Sequence, residues 1–137
     1  MLVIASLLIG VSTLTILGAL AAFGAIALGS VFFGSLLLWI AALVKSNNAY
    51  NSIQILVLFF VDFASTVFYQ NTSSLPYPIQ VLMWANPLTY IANTARGGYF
   101  GTLSTNDGIE MLILAAETVL VLVLATRAYL RSDVSME

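Results

Sequence analysis

Long apolar runs alternate with short polar stretches along this chain, and the first run, up to Val44, contains no charged side chain. As one straight helix it would be about 66 Å long, whereas the hydrocarbon core of a bilayer is about 30 Å thick. The run therefore predicts two membrane spans, at about 2–17 and 23–44. The alanines and glycines between Gly18 and Gly24 mark the division between them.

Two further apolar runs predict two further spans. One, at about 53–69, follows the polar loop from Lys45 to Ser52, and the other, at about 109–129, precedes a polar tail. Asp62 and Glu117 lie near the middle of these spans, where an ionised carboxylate costs about 2.5–3.5 kcal/mol. Each is a candidate intramembrane polar site that faces the bundle or a water-filled cavity. It is either a cation or proton site or a polar residue hydrogen-bonded to a neighbouring helix.

The apolar segment at about 76–101, between the third and fourth predicted spans, is interrupted too often to cross a membrane. Pro76 and Pro78 prevent a helix from continuing out of the third span, because proline lacks the backbone N–H and clashes with the preceding turn. The run at 79–85 covers only about 10 Å if it is helical.

A second short helix is predicted directly afterwards. Asn86 is a favourable N-cap residue, and Pro87 falls at the first helical position, where its missing N–H does no harm. We expect the helix to continue over 88–95, with Arg96 in its last turn and Gly97-Gly98 as its stop. Broken helices at membrane depth are tolerated only where protein or a cavity covers them. The segment therefore predicts a re-entrant pair beside a transport pathway or, alternatively, an interfacial anchor.

Composition supports a membrane protein, since 61% of the residues are hydrophobic and 7% are charged, against about 25% charged residues in soluble domains. The prediction is an all-α, polytopic membrane helical bundle of about four transmembrane helices plus a short re-entrant helical pair before the last span, as a single domain over 1–137. The chain has no cysteine, no histidine, no basic patch and no phosphate-binding glycine loop. We therefore expect no disulfide, metal site, nucleic-acid binding or enzyme activity.

The positions of lysine and arginine predict the orientation. Lys45, Arg127 and Arg131 fall on one side of a four-span bundle, and Arg96 falls on the other. This distribution predicts a multi-pass protein of the plasma membrane with both termini in the cytoplasm.

Two features predict contacts between helices. Arg96 is a candidate to pair with Glu110 or Asp107 and so to fix the re-entrant helix to the last span. Small residues at a spacing of four let helix backbones approach closely in lipid, and they predict packing within the bundle or, alternatively, a dimer face. These pairs are Gly18 and Ala22, Ala21 and Ala25, Ala25 and Gly29, and Ser30 and Gly34.

The segment SSLPYPIQVLMWANPLTYIANTARGGYFG resembles the signature region of the type-2 permease family of ATP-binding-cassette (ABC) transporters. The resemblance covers roughly Gly29 to Tyr129, and FFGSLLLWIAALVKSNNAYNS is similar to the family's fourth span and the cytoplasmic loop after it. The family's Ser-Gly and Phe-Phe-Pro elements read Ser65-Thr66 and Phe68-Tyr69-Gln70 here. The residues that match the family's re-entrant motif are Leu75, Pro76, Asn86, Pro87, Leu88, Thr89, Tyr90, Arg96 and Gly97.

The resemblance implies a transmembrane permease subunit, or the C-terminal portion of one, of an ATP-driven ABC exporter. It implies an ABC ATPase subunit as partner, which binds the ATP, so no cofactor is expected in this chain. It also implies a second permease copy, or a chain that supplies the family's N-terminal spans and coupling helix. The alternative is a small four-span structural or assembly protein without transport activity. A third interpretation is a carrier coupled to protons or cations through Asp62 and Glu117.

Overall fold

The computed structural model describes residues 15–44, 46–69 and 72–134, and this part of the chain is helical, with no strand. The first predicted span, at 2–17, lies outside the described residues except for its last three. Two of the described helices, the first and the last, are long and apolar enough to cross a membrane. The helices are α1 (Ile16–Leu43), α2 (Asn47–Phe63), α3 (Tyr77–Trp84), α4 (Pro87–Phe100) and α5 (Thr105–Val134).

The packed part of the fold consists of α1, α4 and α5. With 28 and 30 residues, α1 and α5 measure about 42 and 45 Å, and the last predicted span lies entirely within α5. Phe32, Tyr90 and Leu114, one from each helix, meet in the buried centre of this bundle. Many other large apolar side chains of α1 and α5 are exposed, which is typical of helices that are surrounded by lipid.

The contacts between α4 and α1 show that these helices run in opposite directions. Gly98 lies against Gly18 near the start of α1, whereas Ile91 lies against Gly29, further along α1. Packing within the bundle, as predicted from the small residues, is thus confirmed for Gly18, Ala25 and Gly29, which are all buried.

The start of α5 lies beside the end of α4, because Asp107 is next to Gly97. Since α4 runs opposite to both long helices, α1 and α5 run in the same direction. Their C-terminal ends lie together at the other end of the bundle, where Leu38 and Tyr129 line one groove of about 370 Å³.

The predicted division of the first apolar run between Gly18 and Gly24 is wrong. α1 begins at Ile16, and the Thr15 hydroxyl caps it by accepting the N–H of Gly18 at 3.0 Å. The helix then continues unbroken to Leu43, so it starts seven residues before the predicted second span at 23–44. The small residues here serve close contact between helices and do not form a turn.

α2 differs from the third predicted span at both ends. It begins at Asn47, inside the stretch predicted as a loop, because no glycine or proline interrupts the chain from Ser46 to Phe63. It ends at Phe63 and not near Tyr69, because residues 64–68 form a turn. None of its 17 residues is buried. α2 therefore lies at the edge of the bundle and is shorter than either long helix.

The two short helices predicted before the last span are both present. α3 begins at Tyr77 with Pro78 in its first turn, and α4 begins at Pro87. The predicted stop at Gly97-Gly98 is wrong, because α4 continues to Phe100. It ends where Gly101 adopts a φ of 68°, the left-handed conformation that glycine adopts without strain.

Candidate functional site: the polar face of α4

Asn86 joins two helix ends in the interior of the molecule. Its side-chain carbonyl accepts the N–H of Leu88 at 2.9 Å and so caps α4, as predicted. Its side-chain amide donates to the backbone carbonyls of Val61 and Ala64, both at 2.7 Å, at the C-terminal end of α2. Asn86 is only 7% exposed. One side chain therefore satisfies the free backbone groups of two helices where water has little access.

Thr89 and Arg96 hold the turn that follows α2. Thr89 is 2% exposed, and its hydroxyl accepts the N–H of Thr66 at 3.2 Å. The Nη2 group of Arg96 donates to the carbonyl of the same residue, Thr66, at 3.1 Å. α4 therefore binds both backbone polar groups of Thr66, which the turn leaves without helical partners.

Asn93 connects this turn to α5. Its side-chain carbonyl accepts the Thr66 hydroxyl at 3.0 Å, and its amide donates to the two carboxylate oxygens of Glu110 at 3.1 and 3.3 Å. The sequence pattern predicted no role for Asn93 or for Thr66, and Thr66 was named only within the resemblance. The spacing of Asn86, Thr89, Asn93 and Arg96 would have indicated Asn93, because steps of three and four residues place side chains on one helix face, whereas no spacing along α4 indicates Thr66. We call these four residues the polar face of α4.

Arg96, Glu110 and Asp107 do not form the expected ion pair. In the described part of the chain, Arg96 binds the Thr66 carbonyl and makes no ion pair with either carboxylate. Asp107 instead accepts the N–H and the hydroxyl of Ser104 at 2.7 and 2.8 Å, and Ser104 accepts the N–H of Asp107 at 3.4 Å. These reciprocal bonds form a capping box at the start of α5. The prediction of this ion pair is therefore wrong: Asn93 donates to Glu110, Ser104 donates to Asp107, and Arg96 donates to a backbone carbonyl.

The opposite face of α4 contacts α1 without hydrogen-bonding side chains. A Cβ atom at Gly98 would overlap the backbone carbonyl of Gly18, and a Cβ atom at Gly18 would overlap that of Gly98. A Cβ atom at Gly29 would likewise overlap the side chain of Ile91. Gly98 is therefore needed for close packing, which explains why the predicted glycine stop is helical.

The remaining residues of the predicted motif serve the ends and the core of α4. Pro87 is its first residue, and Leu88 provides the N–H that Asn86 caps. Tyr90 is buried against Phe32 and Leu114. Gly97 is buried near Asp107, and its carbonyl accepts the N–H groups of Gly101 and Thr102.

Asp62 and Glu117 lie in different environments, and no hydrogen bond or ion pair joins them within the described residues. Asp62 is the next-to-last residue of α2 and is exposed, so its predicted position in the middle of a span is wrong, and it does not face the bundle of α1, α4 and α5. The reason is that α2 ends six residues earlier than predicted. Glu117 lies near the middle of α5, and its Oε2 atom is buried without a hydrogen-bond partner.

The arrangement on α4 holds helices together through hydrogen bonds. The described residues contain no group of three or more aspartates, glutamates, histidines or cysteines that could hold a metal ion. The polar face of α4 instead ties the turn after α2 to α4 and, through Asn93, to α5. Comparisons of the chain with protein-family models, with curated proteins and with solved structures found no match.

Proposed function

We propose that this chain is a permease subunit, or the C-terminal portion of one, of an ATP-driven ABC exporter in the plasma membrane. The proposal starts from the resemblance of the segment from Leu75 to Gly97 to type-2 permeases. A separate ATPase subunit binds and hydrolyses ATP, and a second permease copy faces the first across the pathway.

The observation that carries the proposal is the place and bonding of Asn86. Ile91 lies against Gly29, and Asn86 precedes it by five residues, which puts Asn86 about 7 Å further into the bundle. The chain is broken there, between α3 and α4. An unsatisfied backbone group in hydrocarbon costs several kcal/mol, so such a break requires internal hydrogen-bond partners. Asn86 supplies them for α4 and for the end of α2.

The length of α3 also fits a re-entrant pair. The turn after α2 starts beside Asn86, which donates to the Ala64 carbonyl, and Thr66 in this turn is bonded further along α4, to Thr89 and Arg96. The eight residues of α3 cover about 12 Å, enough to bring the chain back toward the level of Asn86. In the proposed topology, α3 enters the membrane from the outer side and α4 returns to that side.

The charged ends of the bundle support the proposed orientation. Arg127 and Arg131 are exposed on the last turns of α5, at the end where α1 also finishes. Arg96 lies toward the opposite end, beside the turn after α2. By the rule that basic residues stay in the cytoplasm, the first end is cytoplasmic and the second is outside.

In the proposed mechanism, ATP binding in the partner subunit rocks the two permease copies and opens the pathway alternately to each side. α3 and α4 form the outer cap of the pathway. Since α4 is bound to α1, to α5 and to the turn after α2, α4 moves with the bundle as one unit.

Labelling of single cysteines tests the topology, because the chain has no cysteine of its own. Ser46→Cys and Arg131→Cys should react with a membrane-impermeant maleimide only from the cytoplasmic side. Ser74→Cys and Asn106→Cys should react only from outside. Reaction of Ser46→Cys and Asn106→Cys from the same compartment would contradict the proposal.

Association with an ATPase tests the function itself. If a P-loop ATPase is encoded beside this gene, the two proteins should purify together after co-expression and hydrolyse ATP. Loss of that activity when the ATPase's P-loop lysine is replaced would support the proposal. The absence of such a gene, or of any complex between the two chains, would favour the structural or assembly protein instead.

A further inference from the structure

A cleft of about 210 Å³ opens at the end of the bundle where α1 and α5 begin and α4 ends. Its walls are almost entirely carbon and include Leu17, Leu103 and Met111. Three polar side chains also line it: Thr94, Ser104 and Asp107. We call it the outer cleft. None of these residues belongs to the polar face of α4.

Thr94 gives the outer cleft a hydroxyl that has no partner. The residue is 2% exposed, and its Oγ1 atom is buried without a hydrogen bond. Thr118 and Thr126, which are also helical, donate to the carbonyls four residues earlier at 2.7 and 2.8 Å. Because an unsatisfied buried polar group is costly, a ligand atom that bonds to Thr94 is favoured.

Asp107 gives the outer cleft a negative charge. Its Oδ2 atom accepts both bonds from Ser104, whereas its Oδ1 atom accepts none from the described residues. No lysine or arginine lines the cleft, so within its walls only the hydrogen bonds from Ser104 and the positive end of the α5 dipole offset this charge. A cation with an N–H donor is therefore the ligand that the carboxylate attracts most strongly.

We propose that the outer cleft binds a small organic ammonium ion with an apolar body. The carboxylate of Asp107 accepts an ammonium N–H, the Thr94 hydroxyl accepts another, and the carbon walls cover the body of the ligand. Since a cavity of about 150 Å³ can hold benzene, the outer cleft has room for a benzylammonium ion. This site does not depend on the proposed transport function, because binding requires neither an ATPase nor a second copy.

Equilibrium binding of benzylammonium to the full chain in lipid nanodiscs tests the proposal, with empty nanodiscs as background and benzyl alcohol as the uncharged probe. The wild type should bind benzylammonium saturably. Asp107→Asn keeps a side-chain oxygen for the Ser104 cap but removes the charge, so benzylammonium should bind at least about tenfold more weakly. Benzyl alcohol binding should stay within about twofold. Asp62→Asn is the matched control, because it removes the same charge from an exposed side chain and should change neither affinity.

Thr94→Val provides a second test, since it replaces the hydroxyl by a methyl group of similar size. It should weaken benzylammonium binding about fivefold, the effect of one lost hydrogen bond. Thermal unfolding should show that this variant is at least as stable as the wild type, because it removes an unpartnered buried hydroxyl. Absence of saturable binding to the wild type would overturn the proposal, as would wild-type affinity in Asp107→Asn. If Asp107→Asn does not fold, wild-type affinity in Thr94→Val overturns it.

Discussion

The two faces of α4 are held in different ways. Toward α1, the contact depends on the absence of atoms, since Gly18 and Gly98 leave no room for a Cβ atom on either helix. Toward the turn after α2, the contact depends on particular donors and acceptors, above all those of Asn86 and Thr89. The first face sets how closely α4 approaches the bundle, and the second decides where α2 ends.

The two faces should therefore respond differently to substitution. We call the contact between Gly18 of α1 and Gly98 of α4 the glycine face. It is sensitive to added volume, because the overlapping atoms there belong to backbone, which cannot rotate away. The polar face is sensitive to the loss of a hydrogen bond even when volume is kept, because the groups left behind are buried. Substitutions matched for size and burial can separate these effects.

Asn86→Ala should lower the free energy of unfolding more than the other substitutions, because it removes the hydrogen bonds by which the polar face of α4 holds the end of α2. It removes the N-cap of α4, at about 1 kcal/mol, and leaves the carbonyls of Val61 and Ala64 unpaired, at about 1–3 kcal/mol each. We expect the free energy of unfolding to fall by about 4 kcal/mol in total, measured by denaturant titration in micelles.

Two further variants test whether the loss of stability comes from the hydrogen bonds that Asn86 donates. Asn86→Asp keeps an acceptor for Leu88 but loses both donated bonds, so it should be nearly as unstable as Asn86→Ala. Asn48→Ala changes an exposed asparagine of α2 and should cost about 0.5 kcal/mol or less. If Asn86→Ala and Asn48→Ala were equally stable, Asn86 would not join the two helices.

Gly18→Ala should cause the next largest loss of stability, because it disrupts the close contact between α1 and α4. The new methyl group would overlap the backbone carbonyl of Gly98, so we expect a loss of about 2–3 kcal/mol in the free energy of unfolding. Gly24→Ala is the matched control on the same helix, because nothing lies within 4 Å of its Cβ position. It should be neutral or stabilise α1 by up to about 1 kcal/mol, since alanine favours helix over glycine. Equal melting temperatures for these two variants would show that α4 does not lie this close to α1.

Thr89→Val should lower the free energy of unfolding less, because it keeps the volume of the side chain and removes only the acceptor for the Thr66 N–H. We expect a loss of about 1–2 kcal/mol. Thr118→Val is the control, since its equally buried hydroxyl donates only to the carbonyl of Leu114, which is already a helix acceptor. That loss should be about 0.5 kcal/mol or less. A greater loss from Thr118→Val than from Thr89→Val would contradict the role of Thr89 in holding the turn.

The parts of the fold that follow from local chemistry were predictable. Asn86 followed by Pro87 predicts the start of α4 from neighbouring residues only, and the structure confirms it. The apolar run at 109–129 likewise predicts the core of α5. Both follow from the preferences of a few consecutive side chains, which hold whatever the rest of the chain does.

The errors occur where a residue's role depends on a distant one. The local sequence predicts that α4 ends at Gly97-Gly98. Gly98 is nevertheless helical, and it packs against Gly18, which lies eighty residues earlier in the chain. The local sequence predicts that Asp62 lies in the middle of a span. α2 nevertheless ends beside it, because Asn86 donates hydrogen bonds to the backbone carbonyls that are freed there. Neither partner can be identified from the spacing of nearby residues.

Composition and neighbouring residues are enough to predict that the chain is helical and strongly apolar, where α4 begins, and that two short helices precede the last long one. These properties depend on composition and on interactions over a few residues. Packing between distant parts of the chain, in contrast, sets which glycines are contact points, where α2 ends, and that Arg96 binds the Thr66 carbonyl rather than a carboxylate. The physical reason is that a backbone group freed by a turn, or a gap left by a glycine, is satisfied by whichever side chain the fold brings to it.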